Sequence, residues 1–283
     1  MTRYRYVYSK GKWAVGGSAM QTLDETNTSP WPLDFFDFAY IPDLQGRLED
    51  LAALTEEEDW SYHNTKSDYK NPILYNYVRY TYRRVAEEGK IALSEDGEYR
   101  CFNLGLVTPN QEALYADFQI NRKEGAQRWF FKAWLRRGAW ELNKFAELPD
   151  MAHYFDEPTC LVFDGRKEFR VNVEHIITET PRDRFPEPYM SMEDFALQTV
   201  LKGAIDNARD RVRRSYKAAI PQYYRGQVQL LLPLCLSQPR RADLALVVER
   251  HATFYRASTC LTLDMAYNNA RQLAKPDRDW LQP

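Results

Sequence analysis

Between Leu197 and Ala219 the apolar residues Leu201, Ile205, Ala208, Val212 and Tyr216 recur at the spacing of one helical face. Lys202, Arg209, Arg211, Arg213, Arg214 and Lys217 occupy the other faces. The pattern predicts a long amphipathic helix whose buried stripe runs through to Tyr216 and whose remaining surface is cationic. Three strands are expected after it, over Gln227 to Leu236, Asp243 to Glu249 and Phe254 to Thr262, with the spacing of an antiparallel meander. Leu230-Leu231-Leu232-Pro233-Leu234 is continuously apolar, as in a strand buried on both faces, yet Pro233 has no N–H and argues for an edge or a bulge. A short helix, Asp264 to Arg271, closes the unit.

The earlier chain carries weaker periodicities. Tyr4 to Val15 alternates around Ser9-Lys10-Gly11-Lys12, as in a hairpin with a basic tip or a loose arm, and Met20 to Pro32 is polar. The aromatic segment Asp34 to Pro42 reads as a buried anchor. Asp43 caps a helix with the stripe Leu44, Leu48, Leu51 and Leu54. A second helix is marked by Asn71 as N-cap, Pro72 at its first position, the stripe Leu74, Tyr77, Val78, Thr81 and Val85, and Gly89 past its end. A hairpin over Lys90 to Phe102, turning at Asp96-Gly97, follows. Two helices and a strand pair in that order suggest a winged-helix-like unit, with Lys66, Lys70, Arg79, Arg83 and Arg84 facing phosphate, or else an ordinary α+β packing unit. Thr108 and Gln111 form a capping box that predicts a further helix. Arg128 to Leu135 and Phe169 to Ile177 alternate as strands, the latter pointing His175 inward. Pro181 to Pro188 is a rigid loop.

These elements define an α+β chain, mainly antiparallel sheet with packed helices. Its expected organisation is an arm or hairpin over 1–32, a winged-helix-like subdomain over 33–108 and an α+β main domain over 109–283, or one integrated domain over 33–283. With 44% apolar residues among 283, a buried core needs no staple. The formal net charge of −2 leaves any anion-binding surface to local clustering. Four scattered cysteines, Cys101, Cys160, Cys235 and Cys260, form no C-x-x-C pair and suit a reducing, cytoplasmic setting. The N-terminus lacks the apolar core of a signal peptide, and the longest apolar run, Leu230 to Leu236, is too short to span a membrane. A soluble protein without a membrane partner is expected.

Recognisable chemistry is sparse. No P-loop, dinucleotide fingerprint, G-x-S-x-G or H-E-x-x-H is present, and His63, His153, His175 and His251 show no ligand spacing, so neither a metal nor a cofactor is expected. Asp243 and Glu249 share a strand face but lie about 20 Å apart at roughly 3.3 Å per residue, too far to hold one ion. Lys202, Arg209, Arg213, Arg214 and Lys217 are the expected phosphate contacts. In the last helix, Asp264, Asn268 and Arg271 fall on one face. Asn268 and Asn269 are poor interior helix formers, which places Asn268, Asn269 and Arg271 in an expected ligand wall, or else in local structural bonds.

The chain resembles the uncharacterised domain family that accompanies OST-HTH (LOTUS) RNA-binding modules. The resemblance rests on Phe36-Asp37-Phe38-Ala39-Tyr40-Ile41-Pro42, Asn103-Leu104-Gly105-Leu106-Val107-Thr108, Arg211-Val212-Arg213-Arg214-Ser215-Tyr216-Lys217, Gln229 to Leu236 and Leu263 to Arg271, and runs from about Leu33 to Leu281. It implies an RNA setting in processing, repair or regulation, alone or with an RNA-binding protein partner, and no particular reaction. Three readings follow. The first is RNA or a nucleotide phosphate end held between the basic helix and the C-terminal helix. The second is a phosphodiester- or nucleotide-processing enzyme with Asp243, Asp264 or His175 as acid/base. The third is a non-catalytic protein-interaction scaffold.

Overall fold

Alternation and turn chemistry build two five-stranded, mostly antiparallel sheets with their own helices, so the fold is α+β. The computed structural model describes residues 5–9, 12–16, 29–276 and 281, the first two segments as backbone only. In the N-terminal hairpin, β1 (Arg5–Ser9) pairs antiparallel with β2 (Lys12–Gly16). The tip residues Lys10 and Gly11, and most of the polar stretch from Met20, lie outside the described residues.

The chain divides into two units. The first takes the described residues up to Asp59, then Ser67–Pro72 and Tyr82–Ala152; the second takes Trp60–Lys66, Ile73–Thr81 and everything described from His153 on. The first unit begins with α1 (Phe35–Phe38), whose N-cap Asp34 accepts the Phe36 N–H at 2.8 Å, and passes directly into β3 (Ala39–Tyr40). Next comes α2 (Leu44–Leu54), which buries Leu48 and Leu51 as its stripe requires. Then α3 (Pro72–Glu87) starts at Asn71-Pro72 and ends before Gly89, whose φ of +69° closes the C-terminus at no steric cost. Strands β4 (Ala92–Leu93), β5 (Tyr99–Val107), β6 (Ala113–Ile120) and β7 (Trp129–Arg136) complete a sheet ordered β3-β7-β6-β5-β4, with β3 parallel to β7. Phe35, Phe38, Tyr82, Phe102 and Phe118 pack ring against ring on one face, with centroids 5.0–6.1 Å apart.

This unit corrects three expectations. Residues 33–108 are not a winged-helix module, because β5 continues pairing with β6 and β7 and the unit runs to Ala152. Thr108 caps no helix: its hydroxyl accepts the Glu112 N–H at 3.2 Å and its own N–H bonds Glu112 O, closing the β5–β6 turn through Gln111 at φ +64°. The cations expected to face phosphate are largely matched, since Lys70 pairs with Glu49 (3.1 Å), Arg83 with Glu87 (3.0 Å) and Arg84 with Glu88 (2.6 Å).

In the second unit β8 (Glu168–Val171) leads into α4 (Val173–Glu179), and α5 (Asp194–Arg214) follows. The meander β9 (Ile220–Tyr224), β10 (Gln227–Leu234), β11 (Leu244–Arg250) and β12 (Phe254–Leu261) forms as the spacing predicts, with β8 added parallel to β12. The chain then enters α6 (Leu263–Arg271), capped by Thr262, which accepts the Met265 N–H at 3.3 Å. The α5 stripe Leu197, Leu201, Ala204, Ile205, Ala208 and Val212 packs with Leu230, Leu232, Leu234, Leu244, Leu246 and Val248 into one core.

Pro233 sits where its chemistry allows. The partner strand β9 stops pairing at Leu231, so Leu232, Pro233 and Leu234 face β11 alone and that stretch of β10 is a sheet edge. The expected strand over Phe169 to Ile177 is cut short: Asn172 accepts the His175 N–H at 3.1 Å and starts α4, leaving His175 half-buried on a helix instead of pointing inward from a strand.

Candidate anion-binding groove

Because α5 buries the stripe through Ala204 and Ala208, Asn207, Arg211 and Arg214 come round on the flank beside it at spacings of four and three. Facing them is the chain that leaves β10: Pro233, Cys235, Leu236, Ser237, Gln238 and Pro239. The space between is a groove of about 560 Å³. Every residue it takes from the β10 side lies beyond Leu231, where β9 no longer pairs.

Asp243 fixes the shape of the far wall. One carboxylate oxygen accepts the N–H groups of Leu236 (2.7 Å) and Ser237 (2.9 Å), and the other accepts the Ser237 hydroxyl at 3.1 Å. A carboxylate satisfied by three donors from the next turn of chain serves as a loop tie. Gln238 bridges to Arg241 across the same loop, which also carries Arg240 at its exposed tip. On the helix side, the Arg211 guanidinium stands 3.9 Å from Cys235 Sγ. Burial raises the Cys235 thiol above its ordinary pKa while Arg211 pulls the other way, so the sulfur is chiefly a neutral wall atom.

Charge pairing separates these cations from their neighbours. Arg166 bonds Asp164 (2.9 Å), Arg170 bonds Glu168 (2.6 Å), Arg182 bonds Asp194, and Arg209 bonds Asp206 (3.2 Å). Among the described residues, no carboxylate stands within 4.0 Å of Arg211, Arg213, Arg214, Lys217, Arg240 or Arg241. The end of α5 is thus a local concentration of positive side chains outside any ion pair in a chain of net charge −2.

Of the expected phosphate contacts, only Arg214 lines the groove. Lys202 is exposed elsewhere on α5, Arg209 is engaged by Asp206, Arg213 lies toward Gly165, and Lys217 belongs to the exposed turn after the helix. Asn207, Arg211, Ser237 and Gln238 were not singled out as a site by sequence. The signal available was the flank spacing of Asn207, Arg211 and Arg214 along the helix.

The C-terminal helix is a different matter. Asp264, Asn268 and Arg271 do share a face of α6, but that face is turned into the protein, with exposures of 1, 7 and 8%. Asp264 accepts the N–H groups of His63 (2.9 Å) and Asn64 (2.7 Å), and the Arg271 guanidinium lies over the rings of Tyr77 (4.7 Å) and Trp60 (5.1 Å). Asn269 donates to Gln222 Oε1 at 3.2 Å, and Gln222 donates on to Gln229 at 2.8 Å. Asp264, Asn269 and Arg271 therefore serve as internal ties. Asn268 Oδ1 is buried without a hydrogen-bond partner among the described residues.

The three acid/base candidates fall on separate elements: Asp243 on the β10–β11 loop, Asp264 on α6 and His175 on α4. No hydrogen bond joins any two of them, and among the described residues no group of three His, Cys, Asp or Glu side chains is placed to hold a metal ion. All four cysteines are free thiols, and no described helix is long and apolar enough to cross a membrane.

The chain belongs to the DUF3825 family, a domain of unknown function, whose family model matches residues 51–280. No curated protein and no solved structure matches it.

Proposed function

We propose that this chain binds RNA, or a nucleotide phosphate end, in the groove between α5 and the β10–β11 loop. The observation that carries the reading is the convergence of Arg211 and Arg214 on one groove, neither with a carboxylate within 4.0 Å among the described residues. Two guanidinium groups lining one groove offer an anion two planar forks of donors. Asn207, Ser237 and Gln238 add neutral donors and acceptors to the same wall. The resemblance to the family that accompanies OST-HTH modules supports an RNA setting in processing, repair or regulation, and the four free thiols suit a reducing compartment. The C-terminal helix is left out of this reading, since Asn268 and Arg271 are buried in the fold and Asn269 is engaged by Gln222.

Binding without catalysis is the simpler version, because the groove brings no acid/base pair together. The test is fluorescence anisotropy with a labelled single-stranded oligoribonucleotide over a series of salt concentrations. Replacing Arg211 and Arg214 together by Ala should weaken binding and lower the slope of log affinity against log salt by roughly 0.7 for each phosphate that is no longer neutralised. An unchanged affinity and slope in a variant that melts like the wild type would overturn the assignment.

A further inference from the structure

Tyr216 departs from the periodicity that leads up to it. The stripe from Leu197 onward places Tyr216 in the core, yet it is 65% exposed. The reason is local: α5 ends at Arg214, Ser215 turns extended (φ −144°, ψ 106°), and Tyr216 begins a single 3-10 turn pointing off the helix end. Its ring packs on no other aromatic side chain and under no cation among the described residues, in contrast to Tyr223, which meets Tyr154 at 4.8 Å, and Tyr224, which lies under Arg225. Arg213, Arg214 and Lys217, all exposed and none ion-paired among the described residues, surround it in the chain.

Resting on the reading of the groove as an RNA phosphate site, we infer that its ligand is a single strand, with Tyr216 as the residue on which a base stacks. Three features agree. An exposed aromatic face with no ring or cation packed on it among the described residues, two residues along the chain from Arg214 of the groove, is the combination that holds an unpaired nucleotide, the cations tracking the backbone and the ring taking the base. The amides of Asn207 and Gln238 line the groove, where they meet base edges that a duplex would already have paired. The groove volume of about 560 Å³ falls within the usual range for a small-molecule site, which suits one nucleotide with its phosphate and not a helix of paired strands.

The experiment compares three probes of equal length by anisotropy: a single-stranded oligoribonucleotide, the same strand annealed to its complement, and a strand with abasic sugars in place of bases. Wild type should prefer the single strand over both others by about tenfold, the scale of one base stacked on one aromatic ring. Tyr216→Ala should lose that preference while binding the abasic strand as wild type does, with its salt slope unchanged, and Tyr216→Phe should retain it. A single 2-aminopurine in the strand should be quenched on binding to wild type and not on binding to Tyr216→Ala. If wild type holds single and abasic strands equally and Arg211 and Arg214 still set the salt slope, the stacking inference falls and the phosphate site stands. Preference for the duplex would also overturn it. Binding of no probe at all would bring down both.

Discussion

Asp264 shows how one residue can invite a ligand reading and serve the fold. From sequence, a carboxylate, two amides and a guanidinium on one short helix are costly without a use. The structure supplies that use internally for three of the four, with two backbone donors for Asp264, two aromatic rings for Arg271 and a glutamine chain for Asn269, while Asn268 Oδ1 stays buried without a partner among the described residues. The shared face was legible from helical spacing. Its direction was not, because the partners Trp60, His63, Asn64 and Tyr77 belong to the first third of the chain and nothing local announces them. Asp264→Ala should therefore destabilise the protein by about 2–4 kcal/mol, since two charge-assisted bonds are removed and two N–H groups are left without their acceptor. Asp264→Asn, which can accept only one of them well, should cost less. Urea unfolding measures both, and a change under about 0.5 kcal/mol for the alanine variant would mean that the tie is dispensable.

At the scale of the element, local signals succeeded where they did not compete. Asn71-Pro72 and Gly89 bounded α3 correctly, because a fixed φ at one end and a left-handed residue at the other leave little choice. They failed where two signals overlapped. Alternation through Phe169, Val171 and Val173 argued for a strand, while Asn172 offered its side chain to the His175 N–H and turned the chain into α4. Thr108 made the bond a capping residue makes, but to a tight turn between strands. The groove shows the same limit, since one wall follows from the α5 period and the other depends on how Asp243 gathers the loop. Asp243→Ala should speed amide hydrogen exchange at Leu236 and Ser237 by at least about tenfold and cost about 1–3 kcal/mol of stability. Exchange rates at those two amides equal to wild type would show that the loop holds its shape unaided.

At the scale of the whole molecule, chain order and structural membership diverge. The second unit draws Trp60–Lys66 and Ile73–Thr81 from the first third of the sequence, which is why boundaries placed at 32 and 108 from composition and element order missed the division. A fragment spanning 153–283 contains all of α5, α6 and the meander but lacks the donors that hold Asp264 and the rings that cover Arg271. It should lose the sharp thermal transition of the full chain or melt at least ~10 °C lower. A midpoint within a few degrees would show that those early segments are accessory. The shortness of β9 leaves a different mark. A strand margin without a hydrogen-bonded neighbour invites another chain to extend the sheet. Along Leu232 to Leu234 that invitation is spoiled at its centre, because Pro233 has no hydrogen to offer an incoming chain. The shortness of β9 that leaves the groove beside β10 therefore offers an incoming strand no continuous ladder at this point of the sheet.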